Sequence, residues 1–519
     1  MVAAMTTAPL SQTVHPVGEA SRLPSASLPV ATYGGRIHVE WNPQAAVTPL
    51  GQLSFFIEFL KTADLFAPWV RDCPLTYHSP NAPQKIDVLG TLFLSILSGH
   101  RRYAHLTTIR TDGVNPALWG MSKVCSEDAV RRALGTLDEA ASTQWLQTHL
   151  RRCYEPLLLE PWILDVDVTV KSLYGHQEGA EGGYKPHKPR RPSHTYHTYF
   201  MGNRRLALEV EVRPGKQTAA AHTRPGLWAF LRRLPRTARP AFLRGACAYG
   251  TDHLMREAEA EGLPYLFKLK QSKRVKGFIE KLFAEPIWAP AGQGWQGADT
   301  TLQLQGWGQA RRVVVLRRRV KDSSLVLNET HPTTGQQVCD FVDSLEPRRV
   351  YEYVVLVTTL RDELFTLAQH YRDRADIENV FDELKNQGGW GGYTTKDLKR
   401  CQVRARQIVL IYNWWLMFVR LAIPQRHAEA ITSRPLLLTA VGTQTRHQGQ
   451  TTLTLTSAHA QTGQIQRALR GRRRFLADCR ATAERLGWAA LWRKMLSRIF
   501  VAFLRGRPLH PPPLCLQPT

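Results

Sequence analysis

Acidic residues are scarce in this chain: 43 Asp and Glu face 68 Lys and Arg, giving a formal net charge of +25 and a pI near 10.0. So large an imbalance points to a polyanionic partner. Nucleic acid leads, because neutralising phosphates with release of counterions supplies most non-specific affinity; a merely basic, soluble surface is the other reading. The eight cysteines, at 73, 125, 153, 247, 339, 401, 479 and 515, include no CxxC pair. That spacing argues against a zinc site and a disulfide framework, and it fits a reducing, cytoplasmic setting. Long apolar runs are also missing. The longest, Ile408 to Val419, includes Asn413 and is only 12 residues, against the roughly 20 that a bilayer needs, so no membrane partner is expected. The first thirty residues lack a basic start followed by an apolar core and read as a disordered lead, here drawn to residue 36, rather than a signal peptide.

What is present is enough chain for several cores, and two to four domains are expected from 519 residues. Residues 37–160 read as a helical region, with apolar periodicity at Leu53, Phe56, Ile57, Phe59 and Leu60 and an N-cap at Ser126 ahead of Glu127 and Asp128. This region is either a DNA-binding domain, with Arg101, Arg102, Arg131 and Arg132 on phosphates, or a packed helical layer with solvated arginines. From residue 162 the texture changes to strands: 162–171, 195–201 and 206–212, then a helix near 225–233, a strand 241–249, a helix 251–261 and a strand 265–269. Three strands, helix, strand, helix, strand is how an RNase-H-like α/β fold begins. Residues 272–350 carry Gly- and Trp-rich turns and no convincing amphipathic helix, and read as an inserted β domain. A strand 353–358 and a long helix 362–386 return to the core, in a second part drawn over 351–425. Residues 426–519 read as a polar linker near 441–463 and a basic helical tail.

One segment stands out: HYRDRADIENVFDELKNQ, residues 370–387. On a continuous α-helix Tyr371, Arg374, Glu378 and Lys385 fall within about 60° of one another. A tyrosine, two cations and an acid on one stripe suit a carboxylate that holds metal beside phosphates, with Arg374 and Lys385 on DNA. A surface ladder of ion pairs would have the same spacing. The spacing Tyr, two residues, Arg, three residues, Glu, six residues, Lys resembles the signature of a large group of D-D-E transposases from bacterial insertion sequences. The phrases LDVDVTVKSLYGHQEGA, RGACAYG and FKLKQS extend the resemblance over residues 160–420. It implies an RNase-H-like core (residues 161–271 and 351–425) with a β insertion before the glutamate helix. It implies metal-dependent phosphoryl transfer on DNA: hydrolysis at the element ends, then attack of the freed 3′-OH on target DNA. A homodimer on double-stranded terminal inverted repeats, in a bacterial, nucleoid-associated setting, follows from the same likeness.

Such chemistry uses two divalent ions, Mg²⁺ or Mn²⁺, held by clustered carboxylates. Asp165 and Asp167 are two apart on the first strand and share a face, and two buried like charges call for a cation. The group's Asp-x-Thr pattern selects Asp167, ahead of Thr169, as first catalytic acid, with Asp165 the next choice and Glu378 the last ligand. The second acid departs from the pattern: where relatives carry Asp after Arg-Gly, this chain has Ala246 after Arg244 and Gly245. A methyl group binds no metal, so the chain is expected to be impaired or inactive. An engineered Asp-to-Ala change, natural decay and rescue by Asp252 each account for it. A catalytically dead DNA-binding or repressor protein and an RNase-H-like nuclease without strand transfer are the rival functions.

Residues 175–194 join the first two strands through Gly, Lys, Arg and His; Lys188, Arg190 and Arg191 would grip the DNA backbone, unless this is simply a solvated hairpin. Arg190 and Arg191 stand where a glycine turn is expected. Tyr412, Trp414, Trp415 and Phe418 read as core packing ahead of base stacking. Arg467, Arg470, Arg472, Arg473 and Arg474 read as a phosphate-binding patch, with a purely solvated charge run as the other reading.

Overall fold

Alternating apolar residues make the chain's central sheet, and the computed structural model places it among residues 27–77, 79–183, 190–319, 351–393, 395–457, 460–483 and 486–510, the ones described. Its core strands are β1 (Ile163–Ser172), β2 (Pro192–Met201), β3 (Leu206–Pro214), β4 (Phe242–Gly245) and β5 (Tyr265–Lys268). They lie in the order β3-β2-β1-β4-β5, with the first three antiparallel and β1, β4 and β5 parallel. The parallel steps need crossovers, and the helices Arg224–Arg232 and Asp252–Ala260 supply them. This is the RNase-H-like arrangement expected from the sequence.

The expected inserted β domain is corrected in two respects. Its strands β6 (Ala289–Gly292), β7 (Trp295–Leu302) and β8 (Arg311–Arg319) are hydrogen-bonded in series and join β9 (Tyr351–Thr358), which pairs with β5. They lengthen the core sheet instead of forming one of their own. The segment also holds a helix, Lys273–Phe283, capped by the Ser272 hydroxyl, whose Val275, Ile279 and Leu282 are buried at a 3- to 4-residue spacing hidden between polar neighbours. Residues 320–350 lie outside the described part.

Across one face of the sheet runs the helix Leu398–Ala422, almost wholly buried. It closes the edge of β3 with two side-chain amides. Asn413 accepts from Ala207 N–H and donates to its carbonyl (3.0 and 2.7 Å), and Gln402 does the same for Val212 N–H and Val210 carbonyl (2.6 and 2.9 Å). Its other side meets the N-terminal helical layer: Phe56 lies 5.2 Å from Trp415 and 5.0 Å from Phe418, and Trp69 lies 5.7 Å from Trp414. The aromatic cluster is core, as expected. Ser126 caps the helix Glu127–Thr136 through Ala129 N–H.

The tail helix Thr462–Ala483 packs on the first helix, Leu53–Thr62. Arg472 is buried there, donating to the Phe55 carbonyl (2.6 Å) and stacking over Phe55 and Phe418, so it leaves the expected phosphate patch. Arg467, Arg470, Arg473 and Arg474 remain exposed. The stretch read as a linker is a β-hairpin, Gly442–His447 with Gln450–Leu455, anchored by pairing with Val47–Thr48. Its threonines are as good a strand former as a linker component. Residues 1–46 form a separate unit. Within it, residues 28–32 and 35–39 pair as a hairpin, so the lead is ordered from residue 28 rather than disordered to 36. Among the described residues no helix is long and apolar enough to cross a membrane.

Candidate active site

Strand β1 alternates, so Asp165, Asp167, Thr169 and Lys171 point to one side. Each of the first two acids receives its own cation, and in both cases it is an arginine. Asp165 is fully buried and clasped by Arg244 of β4 in a two-pronged ion pair, Nε to Oδ1 at 2.5 Å and Nη2 to Oδ2 at 2.6 Å. Arg244 Nη1 also donates to the His370 carbonyl, tying the pair to the helix Leu364–Asp373. Gly202 makes room for it: a Cβ there would stand 1.7 Å from Asp165 Oδ2. With both oxygens taken, Asp165 is a structural residue in this geometry, in place of the metal ligand expected as second choice.

Asp167 keeps a different partner. Its Oδ1 accepts from Val168 N–H and its Oδ2 from Arg374 Nη1, both at 2.8 Å. Burial pushes this carboxyl above the usual carboxylate range, with Arg374 opposing and Glu378 adding to the rise. Arg374 Nη2 also lies 3.8 Å from Glu378 Oε1. One guanidinium thus bridges the first and last acids of the expected set. Arg374 is itself buried, so it faces acids and not the solvent where DNA was expected to meet it. The Glu378 side chain is 70% exposed.

The strand register runs Ile163 opposite Phe242 through Val166 opposite Gly245, where the pairing ends; Ala246 and Asp167 are the next residues along the two segments. Asp252 does not replace the missing acid: its carboxylate is held by Arg311 (2.8 Å) and Arg256 (2.9 Å).

The helix carrying the four-residue signature is not one helix. It runs Leu364–Asp373, turns at Arg374 and Ala375, resumes as Asp376–Asp382 and ends in a π-helical turn, Glu383–Gln387. The turn swings Arg374 onto Asp167, an effect that a uniform 100° per residue hides. Tyr371 is half-buried against the cluster of Phe242, Leu266 and Leu356. Lys385 lies in the widened last turn, half-buried. In the loop after β1, Arg190 takes a left-handed φ of 60°, the glycine-type turn read from sequence, and Arg191 stacks on Tyr174 at 4.8 Å; Lys188 lies outside the described residues.

Two residues escaped the sequence reading. Arg244 sits between apolar Leu243 and Gly245 inside a strand, and an arginine in such a place signals a buried acid partner. Lys171 continues the Asp165 face, is buried, and donates to the Gly392 carbonyl; burial lowers its pKa to about 8.

The model of the transposase DDE domain, group 1, matches residues 82–474. A solved piggyBac transposase, in a synaptic complex with hairpin DNA, aligns with 90% of this chain and 87% of its own, at 9% identity and a TM-score of 0.34. No curated protein matches.

Proposed function

The chain belongs to the DDE transposase family, and from that premise we propose that it is a DNA transposase which keeps the scaffold for gripping element ends and has lost the chemistry of cutting them. Arg190, Arg191, Lys188, Tyr371 and Lys385 hold DNA near Glu378 in this reading. The assembly is a homodimer on the terminal inverted repeats of a bacterial insertion sequence.

Members of this family generally use divalent metals, so the donor set is the test. Asp165 has both oxygens on Arg244, Asp167 has both oxygens engaged, and Ala246 offers a methyl group. Glu378 is 70% exposed, 3.8 Å from Arg374 Nη2. Among the described residues no group of three or more His, Cys, Asp or Glu side chains is arranged to hold a metal ion. These residues do not fit a two-ion site. The observation that carries the proposal is Ala246, which follows directly on Gly245, the strand partner of Val166, and brings no carboxylate to the end of β4 next to Asp167.

The deciding experiment incubates the full chain and its Ala246→Asp variant with DNA carrying the flanking element ends, in Mg²⁺ or Mn²⁺. Nicking by the variant alone, with end binding by both, is the expected result; loss of a metal-site carboxylate costs orders of magnitude in rate. Cutting by the unchanged chain at the variant's rate would overturn the loss of chemistry. Failure of both to bind the ends would remove the end-binding role.

A further inference from the structure

Behind the acids, where β1 begins, an open cavity of about 530 Å³ lies between the turn after β2, the end of the helix Leu398–Ala422 and the segment following the last helix. Ile163 lines it, four residues before Asp167 and so about 13 Å away along the strand. Its polar lining carries four arginines, Arg205, Arg244, Arg420 and Arg426. Arg205 grips Asp376 with two nitrogens (2.6 and 3.1 Å), and its third, Nη1, is buried without a partner. His427 donates Nε2–H to Glu383 at 2.9 Å.

Arg420 is the least compensated. It is 7% exposed, stacks over Phe500 and Phe503 at 5.0 and 4.9 Å, and donates to the Arg204 carbonyl at 2.8 Å. Among the described residues no carboxylate reaches it within ion-pair distance. Burial, with Arg204 and Arg205 nearby, lowers its pKa to about 10. Arg426 stands exposed at the mouth. The other charges are matched: Arg244 by Asp165, Arg205 by Asp376, while Asp373 accepts from Gln369. Two cations thus exceed one acid. A buried guanidinium without a counter-ion is costly, and an anion entering the cavity offsets that cost.

We propose that this cavity is a phosphate site, taking the phosphate group of a nucleotide between Arg205, Arg420 and Arg426. The guanidinium forks suit a tetrahedral oxyanion with several acceptors. Phe503, nearly half exposed on the cavity wall, gives the sugar or base an apolar surface. The proposal does not depend on whether the chain cuts DNA.

The test titrates the full chain, at fixed ionic strength, with inorganic phosphate and with AMP, beside the variants Arg426→Glu and Arg473→Glu. Arg473 is exposed on the tail helix, so its change lowers the net charge equally without touching the cavity. Saturable binding that Arg426→Glu weakens by about tenfold or more and Arg473→Glu leaves intact is the expected result. Absence of saturation, or equal weakening by both variants, would overturn the site. Adding a duplex then separates the sources: displacement of AMP marks a DNA backbone phosphate as occupant, and retention of AMP on the DNA-bound chain marks a free nucleotide.

Discussion

Arg244 and Asp165 illustrate how one residue's partner decides its role. Both are buried, and removing one leaves the other as an uncompensated charge. Arg244→Met should therefore destabilise the protein by about 3–5 kcal/mol, while the double change with Asp165→Leu should recover most of that loss in urea unfolding. Lys171 makes a pH prediction. Burial lowers its pKa to about 8 from an ordinary 10.5, so between those values the unfolded chain binds more protons and folding stability rises with pH. Thermal melts of the wild type and Lys171→Met should show the wild type gaining on the variant from pH 8 upward; a constant difference would place the lysine in ordinary solvent. At this scale the sequence revealed residue types and spacing. Asp167, Ala246 and Glu378 were legible by pattern, whereas the embrace of Asp167 by Arg374 was not, because it depends on a turn that interrupts the helix.

Among elements, the strands and helices of the core were legible because their apolar periods are unmixed. The first three strands match to within three residues at either end. Errors gathered where composition was ambiguous: threonine-rich residues 442–455 serve a hairpin as well as a linker, and the apolar residues of Lys273–Phe283 are thinned by lysines. The edge of β3 yields a prediction of its own. Asn413→Leu keeps the helix apolar but strips partners from the Ala207 N–H and carbonyl, and should cost roughly 2–4 kcal/mol, read as an earlier denaturant midpoint. A loss below half a kcal/mol would mean that water reaches that edge.

For the whole molecule, the charge of +25 sets how binding responds to salt. Each arginine on the tail helix that meets a DNA phosphate should contribute about 0.9 to the slope of log affinity against log salt concentration. Arg470→Ala and Arg474→Ala should flatten that slope, and Arg472, being buried, should leave it unchanged in any variant that folds. The distinction could not be drawn from the run of five arginines, since burial of every third or fourth residue emerges only once the helix has a layer to pack on. That layer also bears on how the chain is made. Arg472 closes over Phe55 across 417 residues, and although Phe56 meets Phe93 early, the first helix finds Trp415, Phe418 and Arg472 only in the last third of the chain. At ribosomal speeds of about 5–20 residues per second, Phe55, Phe56 and Phe59 wait roughly 20–80 s for these partners. During synthesis the first helix is thus an early-made segment with a late-made core, and a natural ligand for any chaperone standing at the exit tunnel.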